Sequence, residues 1–572
     1  MMPKIRLLAL SLICLLASVV TAQNKPAADL IVTNAKVWTG DTAHPQAQSV
    51  AVIGDRIVAV GSDAEVGVLR GASTKVIDAG GKLIIPGFND SHVHFVSASR
   101  DLDQVQLNDA TSADEFIRRI RAQAEKTPKG SWMLGGGWDE TKWTPPNPPT
   151  KEMIDSFTGD MPVFLDRYDG HGALANSVAL KMAGITAQTP DPPGGVIVRD
   201  AQGNPTGLLR DAAKILVINV LPRMTHDERI AAIRRGMEYA ASLGVTSVQE
   251  MNDEGTDSFA DIDAYSELEQ SGELTLRFYV AAAISDWKKE ADAGIRRAFG
   301  TSFVRMGALK GFADGSLGSR TAYFFDPYSD DPSNFGITAK QMHPLSQMQE
   351  WITNADAARL QLCIHAIGDR AISTILDMYT EALKEHHGAE RRFRIEHAQH
   401  MAAKDFDRFA QLDVIASMQP YQAIDDGRWA EARIGHDRAS RTYAFRTFLN
   451  HGVHLAFGTD WDVAPLNPLL GVYAAVTRAT LDGKNPNGWF PEQKLTVDES
   501  VRAYTAGSAY AEFQEKVKGT ISPGKLADMI VLSDDIFTID PTKIRDVKVL
   551  KTFVGGKLVW DVYRRQHYVA GN

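Results

Sequence analysis

The chain has little cysteine. It carries two in 572 residues, Cys14 and Cys363. Cys14 lies in an N-terminal apolar run, with Ile13 before it, which makes a poor lipidation site. If that segment is removed, Cys363 is alone, an internal disulfide is excluded, and stability must come from a buried core. Long apolar runs are also scarce: beyond residues 7–20 nothing looks membrane-spanning, and that run is too short for a comfortable span. Excess positive charge is missing. The formal net charge is −10, with no run of like charges beyond a few residues, which argues against nucleic acid or an acidic membrane surface as partner. There is no internal repeat and no low-complexity tract. What remains is ordinary for a globular enzyme, 44% hydrophobic and 23% charged, and too long for one simple domain.

The N-terminus reads as a targeting segment. Lys4 and Arg6 precede the apolar run, and Val20-Thr21-Ala22 places small residues at the cleavage-critical positions. Residues 1–22 are therefore expected to be a signal peptide and the protein to be exported, periplasmic or extracellular. An uncleaved anchor is the alternative.

Residues 23–83 and 518–572 show short strand-like runs separated by turns, Gly54-Asp55 among them, and are expected to form one small β-sandwich domain from both chain ends. Between them strands alternate with helices. Eight candidate strands fall near 84–94, 245–250, 275–282, 304–310, 361–365, 393–397, 414–418 and 453–459, with amphipathic helices such as 225–243 and 344–359 between some of them. Thr225 and Glu228 make a capping-box pattern at the start of the first of these helices. The alternation predicts an α/β fold, a (β/α)8 TIM barrel over residues 84–517. The stretch from about 98 to 240 is too long for one connection. It has strand-like runs at 132–134 and 163–165 and a Pro-rich loop at 145–149, and reads as a cap inserted after the first barrel strand.

Four apolar runs end in residues that can bind a divalent metal: His92 and His94, His365, His397, and Asp460. His92 and His94, two apart on a strand, share a face, and in a closed barrel strand C-termini form the rim where active sites sit. Each residue alone has a structural reading: a core or rim histidine with one hydrogen bond, or a helix-capping aspartate. Together, on the first, fifth, sixth and eighth strands, they read as one metal site. Imidazole and carboxylate donors suit zinc or another divalent metal. Lys310 ends the fourth strand, either as a solvated lysine, as a partner for Asp314, or as part of the site.

The chain resembles the amidohydrolase superfamily, and more closely the amidohydrolase-3 family with its N-substituted formamide deformylase-like members. The resemblance is carried by residues 86–94, 312–322, 365–371, 395–398, 418–420 and 458–460, with the cap motifs 135–139 and 169–171 and Asn176. It implies a first metal held by His92, His94, Lys310 and Asp460 and a second by Lys310, His365 and His397, so one or two ions per chain. It also implies that Lys310 is a carbamate, an anion able to bridge two metals. Trp138, Tyr421 and Trp461 are candidates to line an apolar substrate pocket, with core or rim packing as the alternative. His171, which has a structural alternative, and Arg320 are further substrate-binding candidates. Cys363, on the same strand face as His365, reads as packing.

The expected function is metal-dependent hydrolysis of an amide-like C–N bond of the N-formyl, N-acyl or cyclic amide type, with Asp460 moving the proton. The rivals are deamination or lactone hydrolysis at the same site, or a non-catalytic barrel with a binding or regulatory role. The expected partner is a small-molecule substrate, without nucleic acid or a stable membrane anchor after cleavage. A homodimer stays open.

Overall fold

The computed structural model describes residues 26–168, 172–192, 195–252, 257–385 and 390–564; the expected signal peptide and His171 lie outside them. Its centre is an eight-stranded parallel barrel: Phe88–Val93, Val245–Met251, Arg277–Ala283, Val304–Phe312, Gln361–Ala366, Arg394–His397, Ile415–Met418 and Leu455–Phe457. Neighbours pair in sequence order, and all eight expected strands are present. The barrel is nearly closed. Between its last and first strands there is no ladder, only a bridge from Val93 to Trp461, with the Asp460 amide donating to the His92 carbonyl at 2.8 Å and the His94 amide to the Trp461 carbonyl at 2.6 Å. Gly458 permits this seam: a Cβ there would sit 2.6 Å from the His92 nitrogen.

The first expected strand, 84–94, is two strands. Leu83–Pro86 joins a six-stranded sheet with strands from both chain ends, and Phe88–Val93 enters the barrel. The break falls at Gly87, where a Cβ would lie 2.3 Å from Thr246. Only glycine lets the chain pass so close to the second barrel strand. The sheet from both ends faces a four-stranded sheet of residues 30–78, and the two share one core, with Val32, Val52, Ile57, Ile84, Met529 and Phe553 buried in it.

A further six-stranded sheet lies between the first and second barrel strands, with one apolar cluster around Phe116, Trp138 and Leu165 and another around Phe164, Ala173 and Leu209. The run expected at 132–134 makes only a single bridge, Met133 to Val163; the strand itself is Gly135–Trp138. Three consecutive glycines, all at positive φ, form it, which propensity disfavours and close approach requires: a Cβ on Gly136 would sit 2.1 Å from the Asp166 carbonyl oxygen.

Helix His226–Ser242 starts as expected, with Thr225 accepting from the Glu228 amide and the Glu228 side chain returning to the Thr225 amide. Its buried residues Ile230, Ile233, Met237 and Ala240 recur at helical spacing and face the main core. Among the described residues no helix is long and apolar enough to cross a membrane.

The barrel's interior departs from a plain aliphatic filling. A small apolar layer of Met251, Tyr279, Ala281, Ala308 and Cys363 is accompanied by charged and polar groups. Glu512 accepts from Asn89 at 2.6 Å and pairs with Lys518 at 2.7 Å, and Arg394 reaches Gln249, Ser417 and the Ser91 carbonyl. Buried charge on this scale requires partners, and each of these groups has one.

Candidate metal centre

The site forms on the barrel's closing seam. His92 and His94 come from the first strand and the residue after it, and Asp460 follows the eighth. The backbone hydrogen bonds that close the barrel join the same segments. One donor atom from each of these three residues lies within 4.8 Å of the other two. Asp460 Oδ1 stands 3.6 Å from His92 Nε2 and 3.4 Å from His94 Nε2. Its other oxygen, Oδ2, accepts from Gln422 Nε2 at 2.9 Å. Asp460 has φ 62° and His397 φ 71°, left-handed conformations that cost a non-glycine residue free energy and often mark functional sites.

Lys310 is buried on the fourth strand, and its Nζ donates to His92 Nε2 at 3.1 Å. The other two histidines continue the cluster. The His397 ring lies 4.9 Å from that of His92 and 4.5 Å from that of His365, centroid to centroid. His365 Nε2 lies 3.2 Å from the Gly315 carbonyl oxygen. Its neighbour Asp314 takes the amides of Ile367, Gly368 and Tyr323, which pins the loop after the fourth strand to the end of the fifth.

Burial lowers the proton affinity of three imidazoles. His92 falls to about 4, by burial and then by the Lys310 cation, and His397 to about 3, mainly by burial. His365 also lies well below its ordinary value, by burial and the neighbouring His397. Asp460 moves the other way from what burial would do: the hydrogen bond from His94 and the surrounding histidines hold it well below the usual carboxylate range. Neutral imidazoles beside an ionised carboxylate are the donor state a divalent ion needs. His397 also buries its Nδ1 without a hydrogen-bond partner among the described residues. The residues present fit a divalent ion.

The other candidates separate. Trp461 is buried against Phe95 and Tyr239 beside the seam. Tyr421 is half-buried at the start of the helix that carries Gln422. Trp138 is fully buried in the cap's own core beside Phe116 and Trp143; a ring with no accessible surface has no face for a ligand, so packing is its role in this structure. Arg320 lies at a half-exposed loop position, paired with Asp330 at 2.9 Å. Cys363 is fully buried in the barrel's apolar layer, and burial pushes its thiol up to about 12, so it packs.

Sequence reasoning passed over Glu396, Arg394, Asp90 and Gln422. Glu396 Oε2 accepts from His92 Nδ1 at 2.7 Å, and Arg394 holds Glu396 from the other side. Asp90 accepts from the amides of His92 and Thr459 and the Thr459 hydroxyl, which ties the first strand to the eighth. Strict alternation sends Glu396 to the face opposite His397. The left-handed turn at His397 removes that opposition, and alternation alone gives no sign of such a turn.

A model of the amidohydrolase family matches residues 75–560. The chain is similar to the protein LONG AFTER FAR-RED 3 of Arabidopsis thaliana, 38% identical over 541 residues that cover 93% of this chain and 92% of the relative. It is similar to the N-substituted formamide deformylase of Arthrobacter pascens, 28% identical over 546 residues, 93% of this chain and 98% of the relative. Among solved structures it is similar to an uncharacterized metal-dependent hydrolase from Pyrococcus furiosus, with a TM-score of 0.74 at 28% identity, covering 89% of this chain and all of the other (100%).

Proposed function

The chain belongs to the amidohydrolase family, and from that premise we propose that it is an exported enzyme hydrolysing an amide-like C–N bond of the N-formyl, N-acyl or cyclic amide type. The observation that carries the reading is the meeting of His92, His94 and Asp460 at the barrel seam, with their donor atoms within 4.8 Å. The likeness to a deformylase along nearly the whole chain supports the choice of bond.

His92, His94 and Asp460 would hold one divalent ion, zinc being the one this donor set favours. Lys310, as the carbamate formed when CO2 adds to its neutral amine and a proton leaves, would bridge to a second ion shared with His365 and His397. A bound ion supplies two things, a lowered pKa for water and polarisation of the substrate carbonyl. Asp460 serves as the proton carrier: it accepts the proton of the attacking water and delivers it to the departing amine. Gln422 occupies Oδ2 and leaves Oδ1, on the histidine side, for that exchange.

The test is a screen of metal-loaded protein against N-formyl, N-acyl amino acid, dipeptide and cyclic amide substrates, with elemental analysis of the same preparation. Turnover of one of these classes that is lost on chelation supports the proposal. A metal-loaded protein inert toward all four overturns the choice of bond. Export is checked by mass spectrometry of the mature chain, expected to begin at Gln23 after cleavage behind Ala22; an exported chain beginning at Met1 contradicts it.

A further inference from the structure

We propose that Glu396, clamped by Arg394, is a positioning residue that sets the tautomer of His92, so that Nδ1 carries the proton and Nε2 turns a bare lone pair toward the metal centre. The proposal rests on the metal-binding reading above and adds residues outside the ligand set.

The geometry is specific. His92, Glu396 and Arg394 are all fully buried, so water cannot substitute for any of these contacts. Arg394 Nε donates to Glu396 Oε1 at 2.7 Å and Nη2 to Oε2 at 3.1 Å, a two-pronged guanidinium–carboxylate contact. Oε2 is also the atom that meets His92 Nδ1, at 2.7 Å. A carboxylate paired with a guanidinium only accepts, so the Nδ1 atom must be the donor. A neutral imidazole has one N–H, and with that proton on Nδ1 the Nε2 is left bare. The Nε2 side agrees: it faces Lys310 Nζ, a donor, at 3.1 Å, and lies 3.6 Å from Asp460 Oδ1. Arg394 is itself fixed, because it also donates to the Ser91 carbonyl at 2.7 Å, to Ser417 Oγ at 2.9 Å and to Gln249. Gln249 in turn donates to the Ser508 carbonyl at 2.8 Å. A buried chain therefore runs from the far end of the barrel domain, through the second and sixth strands, to a ring on the first.

The same geometry predicts an unusual outcome for Glu396→Gln. The glutamine has one acceptor and one donor end. Arg394 presents two donors and takes the carbonyl oxygen, which leaves the amide nitrogen facing His92 Nδ1. The imidazole must then accept at Nδ1, and its proton moves to Nε2. Shape and volume barely change, yet the lone pair is turned away from the ligand set. Loss of such an outer partner typically lowers metal affinity about 10–100-fold.

The experiment is 15N NMR of protein labelled at histidine, first metal-free, followed by zinc titration against a chromophoric chelator, for the wild type and Glu396→Gln. His92 is assigned by the signal absent from His92→Asn. The expected result is the Nδ1–H tautomer in the wild type, the Nε2–H tautomer in Glu396→Gln, and a 10–100-fold weaker zinc Kd in the variant at an unchanged Tm of the metal-free protein. The Nε2–H tautomer in the metal-free wild type overturns the proposal without reference to any variant. So does a folded Glu396→Gln that keeps both the wild-type tautomer and the wild-type Kd. If the wild type shows Nδ1–H but binds no zinc, the metal reading fails and the tautomer assignment stands.

Discussion

At the scale of single residues, the site depends on how burial and neighbours divide the protons. Asp460 stays ionised because His94 and the surrounding histidines outweigh its desolvation. We expect Asp460→Asn to keep the shape of the site but lose the proton acceptor. Turnover should fall about 10²–10⁴-fold, with the loss in kcat rather than KM, because proton transfer belongs to the transition state. Metal content is measured alongside, since Asp460 is also a ligand; a fully loaded variant with normal kcat would remove the proton-carrying role. The histidines make a second prediction, with a definite sign. Protons compete with a metal for imidazole only below the imidazole's own pKa. That pKa is about 4 for His92 and about 3 for His397, against an ordinary value near 6.5. Zinc should therefore be retained on equilibrium dialysis through the mildly acidic range and released as the pH approaches about 4. Release centred near about 6.5 would show that these rings are as accessible to protons as free histidine.

Among the elements, helix His226–Ser242 is the clearest case of local sequence producing local structure. Its capping box satisfies amide groups that the first turn of a helix leaves without partners. Thr225→Ala should lower unfolding free energy by about 1 kcal/mol and leave kcat/KM unchanged, because the cap lies far in sequence from the ligands and touches none of them. Chemical denaturation with a parallel activity assay checks both halves, and an equal loss in the two would mean that this helix end reaches the site. The strand elements are less self-contained. The sheet built from both chain ends exists only because Leu83–Pro86 pairs with Met529–Leu532, residues more than four hundred positions away.

For the whole molecule, the barrel and the end-built sheets are held together by buried charge as well as by apolar contact. Arg277, on the third barrel strand, forms a two-pronged pair with Asp528 at 2.7 and 2.9 Å, and Asp528 also accepts from the Gly555 amide. Both side chains are almost entirely buried. Asp528→Ala should cost about 3–5 kcal/mol, since it leaves a guanidinium in low dielectric without its counter-charge. Replacing both, as Arg277→Met with Asp528→Ala, should recover part of that loss. A single variant as stable as the wild type by thermal unfolding would show that solvent reaches the pair.

The sequence by itself determined the elements and the ligand inventory. Period-two and period-3.6 patterns are local properties, so the eight barrel strands and the helices at 226–242 and 345–357 were legible from neighbouring residues alone. His92, His94 and Asp460 were legible because each ends an apolar run, and a barrel collects strand ends on one rim. What only the tertiary structure decided is how those ends are joined and tuned. Gly87 splits one apparent strand between two sheets because Thr246 crowds it, a neighbour no linear window contains. Trp138, a pocket candidate by type, packs inside the cap because three glycines bring its strand against Asp166. The positive φ at His397 lets adjacent residues serve one site, so Glu396 orients His92 while His397 joins the metal cluster. Alternation is a rule about a strand's own backbone. Proton placement, seam closure and buried charge pairing are set by distances between segments hundreds of residues apart, and those distances exist only once the barrel has closed.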